Sequence, residues 1–166
     1  MNAKDDSINR DEDQPQFLSF TLGDEDYGVN ILRVQEIRGW EEVRDIPNTP
    51  DYIKGVLNLR NTVVPIVDLR IRFNLKKVEY TPTTVIIVLS VEKDGSSHVM
   101  GVVVDAVSDV LNIERKNIKA APNFGGKINT RYMNGMVMVD NRMVVLLETD
   151  KLLDQDELAA LESISS

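Results

Sequence analysis

The chain contains no cysteine and only one histidine among its 166 residues. Disulfide bonds, thiolate metal sites and cysteine nucleophiles are therefore excluded together, and a reducing compartment fits. The single histidine, His98, follows a Gly-Ser turn and has no second histidine or acidic partner at a matching spacing. We interpret it as a solvated residue at the end of a strand rather than as a catalytic or metal-binding group.

Long apolar runs and an excess of positive charge are also missing. The apolar stretches, such as 85–89, are far shorter than the roughly 18 residues of a membrane-spanning helix. Residues 1–16 are acidic and lack the apolar core of a signal peptide, so we predict a disordered N-terminal arm. A net charge of -8 opposes binding to a phosphate backbone. We therefore expect a cytoplasmic protein that neither inserts directly into a membrane nor binds nucleic acid.

What the sequence does contain is an internal repeat. Residues 27–37 recur as 100–110, each copy placing a glycine before apolar residues at the same spacings. Residues 52–61 recur as 132–141, with a shared Tyr-x-x-Gly start, and the order of the two motifs is the same in both halves. Neither copy alone is large enough to bury a stable core, so the repeat predicts two similar units packed together. Chance similarity among valine-rich strands is the alternative.

Short apolar runs separated by turn signals predict a chain built mainly of strands. The predicted strands are 17–22, 27–31, 34–38, 56–60, 63–67, 85–91, 99–104, 107–111, 135–139 and 143–147. Pro65 confines its strand to a sheet edge or a bulge, because proline donates no hydrogen bond to the ladder. Asp68 is the expected N-cap of a short helix through residue 73, and a capping box predicts a terminal helix over 155–163. The pattern indicates compact antiparallel barrels or a sandwich, and we favour two small barrels.

No arrangement of polar residues predicts catalysis. Asp105 and Asp109 flank Ser108, but residues four apart in a strand are separated by roughly 13 Å, too far to share one proton. The acidic turn 24–26 lacks the spacing of a calcium loop, and Gly125-Gly126 lacks the lysine of a phosphate-binding loop. We therefore predict no catalytic residue, no metal site and no cofactor, and we expect a protein that is not an enzyme.

A binding surface is the remaining functional candidate. Asn58 and Arg60 should project from the strand whose other face carries apolar leucines, and Glu36 alternates with apolar neighbours on its own strand. An exposed arginine on a rigid sheet is able to bind a partner carboxylate or to hold a neighbouring glutamate. An ordinary surface arginine is the alternative reading of Arg60.

Several of these segments together resemble the CheW family of bacterial chemotaxis coupling proteins. The similarity begins in 17–29 and 34–39 and continues in order through 48–50, 53–60, 63–69 and 102–110. It covers roughly residues 17–160, and an ordered series of motifs is far more specific than any one of them.

The resemblance implies a mainly all-β fold, with two SH3-like five-stranded β-barrels packed around a shared hydrophobic core and a few short helices. It implies one domain over 17–160 made of two intertwined subdomains, followed by a flexible C-terminus, 161–166. It also implies a non-enzymatic adaptor that joins the cytoplasmic tip of chemoreceptors (methyl-accepting chemotaxis proteins) to the regulatory domain of the histidine kinase CheA. Such an adaptor is recruited to membrane-associated receptor arrays.

By the same resemblance, Glu36 and Arg60 form a polar pair near the receptor-binding groove. The other receptor-binding residues that it implies are Val34, Ile37, Gly55 and Asn58. The kinase contact is expected to be largely apolar and to lie at one end of a barrel, and its residues stay unknown. One departure is Asn61, where the family often has glycine; asparagine tolerates positive φ better than other side chains, so the turn should survive.

A small-ligand-binding β-barrel or a carboxylate-dependent hydrolase is the alternative function. The aspartate-rich turns motivate it, and it requires a concave pocket in which carboxylates converge.

Overall fold

The computed structural model describes residues 14–75, 78–120 and 130–165, and within them the chain is built mainly of β-strands, as predicted. The strands are β1 (Gln16–Leu22), β2 (Glu25–Asn30), β3 (Val34–Gly39), β4 (Ile53–Leu59), β5 (Thr62–Asp68), β6 (Val85–Lys93), β7 (Ser96–Val104), β8 (Ala106–Asn112), β9 (Met133–Val139) and β10 (Arg142–Leu147). The described residues contain two α-helices, α1 (Leu69–Arg72) and α2 (Gln155–Ser165). Single 3-10 turns are formed by Ile31–Arg33, Arg115–Asn117, Thr130–Tyr132 and Thr149–Lys151.

The strands form two five-stranded sheets with the same internal order. Sheet A runs β8-β1-β2-β10-β9 and sheet B runs β3-β6-β7-β5-β4. If the strands of each copy are numbered one to five, both sheets have the order three, one, two, five, four. The repeat predicted from the sequence is therefore present in the structure. Each sheet takes two strands from one copy and three from the other, so the copies exchange strands.

Each sheet curls toward a barrel without closing through a continuous ladder. The segment after β3 reaches β4 through an isolated bridge between Arg44 and Val56, and the segment after β8 reaches β9 through the matching bridge between Lys119 and Met136. The backbone hydrogen bonds of the two bridges measure 2.9–3.1 Å. The SH3-like description therefore holds, with the difference that single bridges take the place of a closed ladder.

Apolar side chains in the part of the chain that the structure describes form three clusters. The largest lies between the sheets and contains Phe20 and Tyr27 from sheet A together with Ile87 and Met100 from sheet B. A second cluster fills the interior of the barrel that sheet B forms. A third cluster, which includes Leu146, fills the interior of the barrel that sheet A forms. Alternating side chains on the strands explain this arrangement, because one face of each strand lines its own barrel and the other packs on the shared core. The predicted shared core is confirmed.

The position of β5 corrects one prediction. Pro65 was expected on an edge strand or at a bulge, but β5 lies between β7 and β4. The proline is tolerated because the parallel pairing with β7 begins only at Ile66. Pro65 thus lies opposite Val56 of β4, one residue before its strand acquires a second neighbour.

Both predicted helix caps are present. Asp68 Oδ1 accepts a hydrogen bond from the Arg70 backbone N–H at 3.0 Å. At α2 the Glu157 N–H donates to Asp154 Oδ1 at 2.7 Å and the Asp154 N–H donates to Glu157 Oε1 at 2.9 Å. These contacts are the reciprocal bonds of a capping box.

The ends of the described chain differ by a few residues from the predicted domain limits. Gln16 was assigned to the N-terminal arm and is the first residue of β1. Helix α2 continues past residue 160, and Leu161 is buried in the shared core. Residues 1–13 of the predicted arm and Ser166 lie outside the described residues. The flexibility of 161–166 stays a prediction.

Candidate functional site

The six residues predicted to bind a receptor lie on three pieces of sheet B. They are Val34, Glu36 and Ile37 on β3, Gly55 and Asn58 on β4, and Arg60 in the turn between β4 and β5. Strands β3 and β4 are the two ends of the hydrogen-bonded order of this sheet. Side chains from the two strands meet only because the sheet curls, so the site depends on the barrel-like shape.

Glu36 and Arg60 form the ion pair that the resemblance implied. Arg60 Nη2 lies 2.5 Å from Glu36 Oε1, and the second carboxylate oxygen, Oε2, lies 3.5 Å from Arg38 Nη1. Arg38 Nη2 in turn lies 3.3 Å from Glu41 Oε2. The Arg60 side chain is 78% exposed and the Glu36 side chain only 23%. The glutamate is thus the anchored partner, and the arginine is the one that a second protein is able to reach.

Arg60 is a turn residue rather than the last residue of a strand. The predicted strand 56–60 ends at Leu59, and Arg60 and Asn61 have φ values of 50° and 67°. Two consecutive positive φ values are typical of a type I′ hairpin turn. Asn58 Oδ1 accepts a hydrogen bond from the Asn61 N–H at 3.0 Å, which supports the turn. The expectation that Asn61 tolerates positive φ is confirmed, whereas the conformation of Arg60 was missed.

Ile37 and Asn58 add exposed surface to the ion pair. Ile37 is 45% exposed on β3, and Asn58 is exposed on β4. Val34 is half-buried and packs against the shared core. Of the predicted apolar contact residues, Ile37 therefore offers surface to a partner and Val34 mainly supports β3 from beneath.

Gly55 is covered by the backbone of Arg44 and does not lie on the surface. It is buried, with a φ of 146°, and a Cβ built at this position would lie 2.1 Å from the carbonyl oxygen of Arg44. The equivalent Gly135 has a φ of 158° and its Cβ would lie 2.9 Å from the carbonyl oxygen of Lys119. In each copy the absence of a Cβ leaves room for the backbone bridge that joins the two edges of the sheet. The structure thus gives Gly55 an indirect role in positioning the site.

A buried ionic cluster lies at the end of β5 opposite to the Arg60 turn. The Arg70 guanidinium, fully buried, donates from Nε and Nη2 to the two oxygens of buried Asp68 at 3.0 and 2.9 Å. Its Nη1 donates to Asp105 Oδ1 at 2.9 Å, and Asp105 Oδ2 accepts from the Gly23 N–H at 2.7 Å. Asp105 lies where the chain passes from sheet B to sheet A, so the cluster ties the two sheets together. Opposite charges around Arg70 raise its pKa despite the desolvation that opposes ionisation.

Tyr80 connects this cluster to the end of β3. Its hydroxyl donates to Asp68 Oδ2 at 2.9 Å, and its ring stacks on Trp40 with the ring centroids 4.3 Å apart. Trp40 immediately follows β3. Burial and the negative charge of Asp68 raise the pKa of Tyr80 to about 12. Since Trp40 is the only tryptophan, its fluorescence reports on this contact.

Two of the acidic residues weighed as catalytic candidates are paired with arginines. Asp105 is held by Arg70 and the Gly23 N–H, and Asp26 is paired with Arg142. In residues 14–75, 78–120 and 130–165, no group of three or more histidine or carboxylate side chains is placed to hold a metal ion. Gly125-Gly126 lies outside the described residues. No described helix is long and apolar enough to cross a membrane.

Sheet A carries an apolar surface that sequence reasoning did not identify. Met138 on β9 and Met143 on β10 are cross-strand neighbours, 64% and 46% exposed. They line a shallow groove of about 350 Å³ together with Asn117, Lys119, Met136 and Val137. In the repeat, Met138 corresponds to Asn58, so the two copies present hairpins of different chemistry. Methionine in an alternating strand pattern gives no sign of exposure, because either face of the strand could be the buried one.

Fold and surface together define a class of protein. Two strand-exchanged sheets provide a rigid frame, one hairpin presents an exposed charged pair, and the other presents an exposed apolar groove. Such a molecule is suited to holding other proteins and is typical of a scaffold.

The comparison with known proteins identifies the family. The family model for the CheW-like domain matches residues 16–157, and the chain belongs to the CheW-like family. It is 46% identical over 150 residues to the chemotaxis protein CheW of Klebsiella aerogenes, covering 90% of this chain and 88% of that protein. It is 37% identical over 145 residues to the chemotaxis protein CheW of Rhizobium meliloti, covering 87% and 91%.

A solved structure agrees with the fold. The scaffolding protein TtCheW from Thermoanaerobacter tengcongensis is similar with a TM-score of 0.77 and 28% sequence identity, over 87% of this chain and 90% of that one. The family membership and the observed sheets thus agree with the resemblance from which the site residues were predicted.

Proposed function

We propose that this chain is a chemotaxis adaptor that couples the cytoplasmic tip of transmembrane chemoreceptors to the histidine kinase CheA, without catalysis of its own. The names of its relatives support a role in chemotaxis, and the solved relative is named a scaffolding protein. The proposed location is the cytoplasm, with recruitment to membrane-associated receptor arrays and no insertion into the membrane itself.

The receptor surface that we propose consists of the Glu36–Arg60 pair and its neighbours Ile37 and Asn58. The observation that supports it is the geometry of the pair, in which an anchored glutamate holds an arginine that is 78% exposed. A guanidinium in this position is able to form two parallel hydrogen bonds to a receptor carboxylate. Ile37 adds apolar area next to the charge, a combination common at the centre of protein interfaces.

The kinase surface that we propose is the methionine groove of β9 and β10. Its exposed Met138 and Met143 have the apolar character expected of that contact, and methionine adapts its shape to a partner. This hairpin belongs to sheet A, whereas the β4–β5 hairpin that carries Arg60 belongs to sheet B. Placing the two surfaces on different sheets allows one molecule to contact both partners.

Reconstitution with receptor-containing membranes and purified CheA tests the proposal. The wild-type chain should sediment with the membranes and increase receptor-controlled autophosphorylation of the kinase. Arg60→Glu should lose sedimentation with membranes that lack CheA while still binding the isolated kinase. Met138→Glu should show the reverse pattern.

Two outcomes contradict the proposal. A wild-type chain that neither sediments nor changes kinase output contradicts the adaptor function. Two variants that lose the same partner contradict the division into two surfaces. The alternative of a ligand-binding barrel or a hydrolase finds no support in the described residues, where Asp105 and Asp26 are both paired with arginines.

A further inference from the structure

Glu36 is shared by two arginines of unequal exposure. Its Oε1 is 2.5 Å from Nη2 of Arg60, and its Oε2 is 3.5 Å from Nη1 of Arg38. The side chain of Arg38 is 31% exposed, against 78% for that of Arg60. The more exposed arginine makes the shorter contact, and the less exposed one stays within ion-pair range.

Arg38 is held in place independently of Glu36. Its Nη2 lies 3.3 Å from Glu41 Oε2, and its Nε is buried without a hydrogen-bond partner. The described polar contacts of this guanidinium therefore come from its two terminal nitrogens, one on each glutamate. The arginine bridges two carboxylates on one side of β3, while Arg60 approaches Glu36 from the β4–β5 turn.

Removing Arg60 from Glu36 would be costly without this second cation. At 23% exposure the glutamate is partly desolvated, and a carboxylate left unpaired in such a place is penalised. With Arg38 beside it, the carboxylate keeps one counter-ion when Arg60 turns away. The penalty for releasing Arg60 is then reduced to the loss of one exposed ion pair, which is small.

We infer that Arg38 is a positioning residue that keeps Glu36 paired and so allows Arg60 to exchange between Glu36 and a carboxylate on the receptor. This inference rests on the proposed function. In its unbound state the protein keeps Arg60 on Glu36. On binding, Arg60 moves to the receptor carboxylate and Arg38 takes over the glutamate. No covalent step is involved, and the charge on each group is unchanged.

The test is a double-mutant cycle between Arg38 and Arg60, measured as the affinity of the full chain for membranes that carry a chemoreceptor. Arg38→Gln should weaken binding about threefold to tenfold, because Glu36 then retains Arg60. Arg60→Gln should weaken it by a similar factor. In the Arg38→Gln background, Arg60→Gln should have little further effect, because Arg60 is already withheld. This non-additivity is the readout that a purely structural role would not produce.

Two matched variants complete the design. Arg38→Lys keeps a cation beside Glu36 and should recover most of the affinity. Glu41→Gln leaves the whole of Arg38 to Glu36 and should not weaken binding. Melting curves of all the variants show whether each is folded. If Arg38→Gln does not fold, Arg38→Lys still tests whether a cation beside Glu36 is sufficient.

The possible failures are distinguishable. If Arg60→Gln binds the receptor as well as the wild type does, the proposed receptor surface is wrong. If Arg60→Gln weakens binding but Arg38→Gln does not, or if their effects simply multiply, the receptor surface stands and the role inferred for Arg38 is wrong.

Discussion

Arg60 and Glu36 connect the two edges of one sheet. The arginine lies in the turn that follows β4, the glutamate lies on β3, and their side chains meet at 2.5 Å although β3 and β4 stand at opposite ends of the sheet order. The backbone bridge between Arg44 and Val56 closes the same gap at the middle of β4. The exposed charge is therefore presented by a curled sheet.

Replacing the turn arginine by glycine should separate stability from binding. Arg60 has a φ of 50°, a conformation that disfavours most side chains but not glycine. Arg60→Gly should leave the free energy of unfolding unchanged or raise it by up to about 1 kcal/mol, while receptor binding weakens. The matched control is Asp140→Gly, at the same φ of 50° in the other copy. Its stability should rise without loss of receptor binding, as urea unfolding and membrane sedimentation would show.

Alanine at Gly55 should be strongly destabilising. The substitution adds a Cβ 2.1 Å from the Arg44 carbonyl oxygen and forces a side chain into a φ of 146°. We expect a loss of about 3 kcal/mol or more in the free energy of unfolding, from steric overlap and backbone strain together. Gly39→Ala is the control, because nothing lies within 4 Å of its built Cβ. Equal melting temperatures for the two variants would show that the Arg44 bridge moves away easily.

Removing Arg70 should destabilise the whole fold. Its loss leaves buried Asp68 without its cation, and breaking a buried pair in this way costs about 3–5 kcal/mol. Arg70→Met should therefore lower the midpoint of urea unfolding far more than Arg142→Gln, whose side chain is 64% exposed. The double variant Arg70→Met with Asp68→Leu should recover part of the loss. A small effect of Arg70→Met alone would mean that water reaches the aspartate.

The hydroxyl of Tyr80 should make stability depend on pH above 10. The native pKa is raised to about 12, whereas an unfolded tyrosine titrates near 10. Between these values the native state holds a proton that the unfolded state has lost, so stability falls as the pH rises. The contribution is fully present below pH 10. Comparing the melting temperatures of wild type and Tyr80→Phe isolates it, because other groups cancel in the difference; parallel curves between pH 10 and 12 would contradict it.

Leu161 tests whether the end of helix α2 is part of the core. The side chain is 5% exposed and belongs to the cluster between the sheets. Leu161→Ala should lower the free energy of unfolding by about 2–3 kcal/mol if the helix stays docked. A loss below about 0.5 kcal/mol would instead support the flexible C-terminus predicted for 161–166.

The strands were predictable because their signal is local. Alternation around Leu57 and Leu59 placed both leucines on the buried face and Asn58 on the exposed one, as the structure shows. The cap at Asp68 and the capping box at Asp154 were found for the same reason, since each depends on residues within one turn.

What was missed depends on contacts between distant parts of the chain. The interior position of β5 and the burial of Gly55 both follow from how the sheet curls, which periodicity does not encode. The sequence around Arg70 gives no sign that its side chain is buried. The ionic cluster is completed by Asp105, which is 35 positions away. Arg38 likewise acquires the role inferred for it only because the turn between β4 and β5 places Arg60 beside Glu36. Strand alternation singled out Glu36, Asn58 and Arg60 as candidates, and the family resemblance added Val34, Ile37 and Gly55. The geometry of all six came from the tertiary structure.

The exchange of strands between the two copies joins the two halves of the chain into one mechanical unit. Because each sheet needs strands from both halves of the polypeptide, no single point of the chain acts as a hinge between them. Force applied to the β4–β5 hairpin, which carries Arg60, or to the β9–β10 hairpin, which carries Met138, therefore acts on one mechanical unit. If partners bind at the two proposed surfaces, this single interwoven unit fixes the distance between them. An isolated half of the chain would need strands from a second molecule to complete its sheets.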